Sequence, residues 1–163
     1  FDRCELYSAG RNTEKKGYVT AASTPKGQKY GYVFRNCRFT GNSSRESVYL
    51  GRPWRDYART VLIDCYLGPH ICREGWHDWD KKNARSTLFY GEYASYGPGA
   101  GEQEAADRYA AGQDAADQDA ADQGTRDRRT SRPDWVFMLT RDQIQDYTME
   151  QVLGGTDGWN PGA

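Results

Sequence analysis

Arg52 sits in Tyr49-Leu50-Gly51-Arg52-Pro53-Trp54, between a glycine and a proline, with an indole two positions on. A guanidinium can grip a carboxylate with two parallel N–H donors, and indole faces offer flat apolar beds for sugar rings. Gly75-Trp76-His77-Asp78-Trp79-Asp80 follows, then Tyr90-Gly91-Glu92-Tyr93. Together these residue types suit an acidic sugar. An isolated Arg-Pro-Trp arises by chance and more often marks a structural arginine, so the order of its neighbours decides the reading.

Other chemistries fit less well. A histidine-based esterase needs a serine on a G-x-S-x-G turn, and the sequence has none. His70 and His77 therefore read as surface histidines. Asp78, Asp80 and Glu92 resemble a glycosidase carboxylate pair in type only; we expect them to satisfy turns and bonds between chain layers. Trp76, three positions before Trp79, reads as packing. Cys4, Cys37, Cys65 and Cys72 form no CxxC and, with only two histidines, no zinc spacing, so no metal site is expected. They read as small buried hydrophobes.

The elements that would position these groups are short strands. Phe1-Asp2-Arg3-Cys4-Glu5-Leu6, Phe34-Arg35-Asn36-Cys37-Arg38-Phe39 and Leu62-Ile63-Asp64-Cys65-Tyr66-Leu67 each carry a large apolar residue three before a cysteine and another two after it. Such alternation fits strands with one buried face. Repeats that cannot bury their own faces suggest a solenoid of stacked turns, although the irregular spacing leaves an ordinary β-sandwich open. Further strand candidates are 17–21, 30–34, 47–50 and 60–63. Thr24-Pro25-Lys26-Gly27 and Thr40-Gly41-Asn42-Ser43 supply turns between them.

With 163 residues, the chain can hold one modest core. Its 22 Lys+Arg against 23 Asp+Glu give a net charge of −1, so no basic field points to nucleic acid. No apolar run reaches membrane-spanning length. The sequence opens on a strand pattern without a starting methionine or signal peptide, and we expect further residues upstream.

Residues 101–132 form an Ala/Asp/Gln-rich stretch in which Gln113-Asp114-Ala115-Ala116-Asp117 is repeated at once. So few apolar groups cannot offset the entropy of ordering, and we expect a disordered insertion. Residues 133–163 should pack back on the strands. Thr140 is expected to cap a helix over 141–145, and Thr148 a second over 149–153, closed by Gly154.

The order LGRPW, RTVLIDCYLG, GWHDWD, TLFYGEY, YGPGAG resembles the C-terminal half of the pectinesterases (pectin methylesterases), and the ending GTDGWNP resembles their bacterial members. The resemblance implies an all-β, right-handed parallel β-helix, of which this chain would be the incomplete C-terminal turns with short C-terminal helices. It implies hydrolysis of methyl esters on pectin (methylated homogalacturonan), without cofactor, by a secreted or periplasmic monomer. It makes Arg52 the residue that holds the nucleophilic aspartate ionised and aimed. Trp54 and Trp79 become cleft-lining sugar platforms, and Tyr18, Thr20 and Ala21 the cleft floor. The family's two catalytic aspartates belong to motifs written Q-D-T-L and D-F-I-F-G, which do not occur here. The expectation is therefore a pectinesterase fragment, inactive alone. The rivals are a non-catalytic pectin-binding β-helix and a β-helical lyase or polygalacturonase.

Overall fold

The computed structural model describes residues 1–10, 15–100 and 131–155. Among these residues nine strands stack in three sheets, and every strand pair is parallel. The first sheet orders β1 (Glu5–Ser8), β4 (Arg38–Gly41) and β7 (Tyr66–Leu67). The second pairs β2 (Gly17–Ala22) with β5 (Val48–Pro53). The third orders β3 (Tyr32–Arg35), β6 (Arg59–Ile63), β8 (Phe89–Tyr93) and β9 (Phe137–Met138). Each strand lies against its counterpart from the next repeat, as in Leu6↔Phe39↔Leu67 and Val33↔Val61↔Gly91. This is a parallel β-helix, and the β-sandwich alternative falls away.

The cysteine repeats explain one corner of each turn. Arg3, Asn36, Asp64 and Ala94 adopt left-handed φ values of 51°, 51°, 53° and 48°. The chain bends at each of these single residues, and the following Cys4, Cys37, Cys65 or Ser95 points toward the interior. The ladder survives the bend: Asn36 N–H donates to Ile63 O and Asp64 N–H to Tyr93 O, both at 2.9 Å. A side chain larger than cysteine or serine would crowd the inside of such a bend. Cys37, Cys65 and Cys72 are buried and Cys4 is half-buried, all as free thiols. Burial pushes the Cys65 thiol up to about 12, which leaves it inert at neutral pH.

Phe34, Phe39, Leu50, Leu62, Leu67, Ile71, Trp76 and Tyr90 fill the interior. After the insertion, β9 joins β8, and Leu139 packs with Val61 and Ile63 on the outer side of the third sheet. Of the expected insertion, only Ser131 and Arg132 lie among the described residues. Arg132 is buried, so the composition boundary at 132 is corrected: this residue belongs to the solenoid.

The helical segment after Thr140 starts two residues later than expected, as a 3₁₀ turn over Gln143–Tyr147, and its N-cap is Asp142 rather than Thr140. Ahead of it, Thr140 Oγ1 accepts from Gln143 N–H at 3.4 Å and Gln143 Oε1 accepts from Thr140 N–H at 2.8 Å. The helix α1 (Met149–Leu153) begins at Thr148, whose hydroxyl accepts from Gln151 N–H at 3.2 Å, and ends at Gly154.

Candidate functional site

The second sheet carries the candidate residues. Register places Tyr18 beside Tyr49 and Ala21 beside Arg52. Strict alternation along β5 would put Tyr49 and Arg52 on opposite faces. Two successive buried residues, Leu50 and Gly51, break that alternation and bring both toward the surface. Gly51 is required here: a Cβ would come within 3.0 Å of the Trp76 ring and crowd the Thr20 hydroxyl from the other side.

Arg52 is enclosed by rings. Its guanidinium carbon lies 3.9 Å from the Trp79 ring centre and 5.3 Å from those of Tyr18 and Trp54. Cation–π contacts of this kind are worth about 0.5–2 kcal/mol, most where water is excluded. Arg52 Nε is buried without a hydrogen-bond partner among the described residues. A cation held by π faces keeps its N–H groups available for an anion, and a carboxylate is the group that matches their geometry.

Trp54 and Trp79 are 57% and 44% exposed, whereas Trp76 is 2% exposed. The division into two surface rings and one packed ring is the one expected from the sequence. Trp79 owes its placement to an unusual backbone, since Trp79 and Asp80 both have φ of 57°. The turn is held locally. Trp79 N–H donates to His77 Nδ1 at 3.3 Å and Asp80 N–H to Asp78 Oδ1 at 3.0 Å. Arg85 grips Asp78 Oδ2 at 2.7–2.9 Å. Burial alone would raise the Asp78 carboxyl, but the Arg85 and Asp80 hydrogen bonds outweigh it and hold it below the usual range. A depression of about 300 Å³ is lined by Asp56, Asp80, Lys81, Lys82, Asn83 and Ala84. There Lys81 Nζ donates to Trp54 O at 2.8 Å.

Tyr18 is half-buried, stacked on Tyr49 at 5.4 Å, with its hydroxyl 3.0 Å from His77 Nδ1. Burial and the neighbouring Tyr49 raise its phenol above the ordinary value, against the opposing charge of Arg52. Ala21 is half-buried beside Arg52. Thr20 is buried, and its hydroxyl donates to Leu50 O at 2.9 Å, bracing the strand that carries Arg52.

The histidines differ from expectation. His70 is 1% exposed and neither ring nitrogen has a partner among the described residues; burial lowers its pKa. His77 is half-buried in the aromatic wall, stacked on Tyr49 at 5.1 Å. Asp78 and Asp80 do shape turns, as their sequence context suggests. Glu92 is 2% exposed and forms a buried ion pair with Arg132. Tyr49 and Arg132 are the site neighbours that sequence reasoning missed. Tyr49 was signalled only by its place in the same short strand as Arg52.

Comparison with known proteins follows the same lines. A sequence model of the Pectinesterase family matches residues 1–128. The pectinesterase/pectinesterase inhibitor of Ficus pumila var. awkeotsang is 37% identical over 111 residues, which is 64% of this chain and 20% of that protein. Pectinesterase 1 of Solanum lycopersicum is 39% identical over 108 residues, again 20% of its length. The chain thus spans about a fifth of these relatives, and their plant origin does not support the bacterial-type expectation. Among solved structures, the pectin methylesterase from carrot superposes with a TM-score of 0.66 at 24% identity, covering 92% of this chain and 42% of that one. PemA from Erwinia chrysanthemi gives 0.61 at 27%, covering 99% and 45%. A pectin methylesterase bound to a hexasaccharide gives 0.60 at 27%, covering 100% and 46%. Solenoid, motif order and family match agree, and no lyase or polygalacturonase need be invoked: the chain belongs to the pectinesterase family.

Proposed function

We propose that this chain forms the galacturonate-gripping part of a pectin methylesterase that removes methyl esters from homogalacturonan outside the cell. The observation that carries this reading is Arg52, pressed between indoles with its buried Nε unpaired among the described residues. In this reading Trp54 and Trp79 bear sugar rings, and Tyr18 and Ala21 line the same cleft. Arg52 orients the carboxylate that attacks the ester carbonyl and keeps it ionised. The attacking and proton-transferring carboxylates are those implied by the family's two motifs. No described carboxylate pairs with Arg52, so this chain's own residues contribute positioning and binding.

The test has two arms. Oligogalacturonates should bind the chain, with affinity reduced by Trp54→Ala and by Trp79→Ala. Purified chain should release no methanol from methylated pectin above a buffer blank. Methanol release would place a catalytic pair within this sequence. Absence of any oligogalacturonate binding would overturn the proposed site.

A non-catalytic pectin binder is the second reading, favoured by a complete aromatic wall around an arginine without a described carboxylate. Joining the upstream turns of a family relative separates the two. In such an enzyme, turnover that falls with Arg52→Ala while binding changes little marks the catalytic role.

A further inference from the structure

Arg132 follows the Ala/Asp/Gln-rich stretch and is one of the most heavily bonded side chains in the solenoid. All five of its N–H donors are used. Nε donates to Glu92 Oε1 at 2.8 Å and Nη2 to Glu92 Oε2 at 3.1 Å. Nη1 donates to Arg73 O at 2.7 Å and Cys72 O at 3.4 Å, and Nη2 also to Gly99 O at 3.1 Å. Glu92 Oε1 accepts a further bond from Trp76 Nε1 at 2.6 Å. Arginine and glutamate are 5% and 2% exposed.

We propose that Arg132, acting with Glu92, is a positioning residue for the sugar-facing wall. The inference rests on the proposed pectin site and adds the device that sets its geometry. A buried ion pair contributes little net stability over apolar residues of the same volume, because desolvation offsets the attraction. It does fix direction, since a saturated guanidinium has one arrangement that leaves no donor unpaired. The carbonyls it fixes belong to Cys72 and Arg73, at the start of the segment that carries the wall. Gly75 comes next, with φ of 66° and no room for a Cβ, which would lie 2.7 Å from the guanidinium carbon. Trp76 then hangs from Glu92, stacks on Tyr90 at 4.5 Å and lies under Gly51, the residue before Arg52. Three residues later Trp79 covers Arg52. Residues 72–79 are therefore anchored at one end by Arg132 and at the other by the cation they cover. A residue beyond the insertion thus completes a site built by turns before it.

The test uses the full chain and Arg132→Lys, which keeps a charge for Glu92 but cannot supply five planar donors. The first readout is the part of the near-UV circular dichroism that Trp79→Phe removes. Arg132→Lys should lose at least half of it while the far-UV spectrum stays that of wild type. The second is oligogalacturonate binding, expected to weaken about fivefold in Arg132→Lys, with Trp79→Ala adding less than twofold on that background because coupled groups are non-additive. A wild-type Trp79 signal in Arg132→Lys, or losses that multiply, would overturn the proposal. Should Arg132→Lys not fold, Glu92→Gln decides: it keeps an acceptor for Trp76 and loses the charge, and the same two outcomes apply. If wild type binds no oligogalacturonate, the functional reading fails, while the spectroscopic arm still decides the positioning role.

Discussion

Left-handed backbone is used in two ways in this molecule. At the cysteine corner, Asn36, Asp64 and Ala94 repeat the same positive φ on successive turns, and the inter-turn hydrogen bonds run through the bend. In the aromatic wall, Trp79 and Asp80 take it consecutively and once, supported by local bonds to His77 and Asp78. A conformation costing about 1–2 kcal/mol per residue persists only where its surroundings fix it. The corner is fixed by repetition and the wall by side chains particular to it. Repeated strain therefore belongs to the architecture and the consecutive strained pair to the site, while Glu46, with φ of 54°, takes the conformation singly in the turn before β5.

The corner should be the costlier region to damage. Phe39 is fully buried, in register between Leu6 and Leu67, with its edge toward Phe34 at 5.4 Å. Phe39→Ala should cost about 3–5 kcal/mol in denaturant unfolding. Trp54→Ala, at an exposed ring, should cost under about 1 kcal/mol yet weaken oligogalacturonate binding. Similar stability losses for the two would erase the distinction between architecture and site.

Gly51→Ala strikes where the two regions meet. The new methyl would press the Trp76 ring and the Thr20 hydroxyl, and overpacking of this kind costs about 1–3 kcal/mol. Because Arg52 is the next residue and the sugar-bearing Trp79 lies against it, binding should fall as well. Unchanged binding in a folded Gly51→Ala protein would show that Arg52 is set independently of the packing beneath it.

His70 sharpens the contrast by pH. Burial lowers its pKa from the ordinary 6.5, so the unfolded chain takes up the proton more readily. Stability therefore rises with pH between the lowered folded value and 6.5, and its contribution is lost as pH falls across that window. His70→Phe should flatten this part of the stability profile measured by denaturant titrations. An unchanged slope would assign the pH dependence to other groups.

The sequence made the corner legible because it repeats: one cysteine with apolar residues three before and two after encodes both the bend and the buried face. The wall was legible in residue type, since Arg52, Trp54 and Trp79 could be named from their motifs. Its geometry was not. Arg132 sits among polar neighbours at the end of a low-complexity run, and its partner Glu92 is remote in sequence. His70 reads as a surface histidine, but its carbonyl accepts the N–H groups of Ser47 and Val48 at 2.9 Å, and its ring lies inside. Thr20 reads as cleft floor only through the family resemblance of its segment, whereas its hydroxyl is committed to Leu50 O. In each case a long-range hydrogen bond, invisible to local pattern, sets the outcome.

The smallest effect is the most direct test of the two uses of strain. Ala94→Gly and Asp80→Gly each replace a left-handed residue with the one that adopts this conformation without steric penalty. Greater freedom in the unfolded chain offsets part of that gain. Both should change stability by no more than about 1 kcal/mol in either direction, read from melting curves. Binding should separate them. At the corner the ladder holds the bend whichever residue occupies it, so Ala94→Gly should leave oligogalacturonate affinity within error. At the wall, glycine widens the range of the turn that carries Trp79, and the indole should spend less time over Arg52. Asp80→Gly should therefore weaken binding about two- to threefold, on the order of 0.5 kcal/mol and within the range of one exposed cation–π contact. Equal affinities for the two variants would mean that neighbouring rings hold Trp79 in place and that the strained backbone beneath it is incidental.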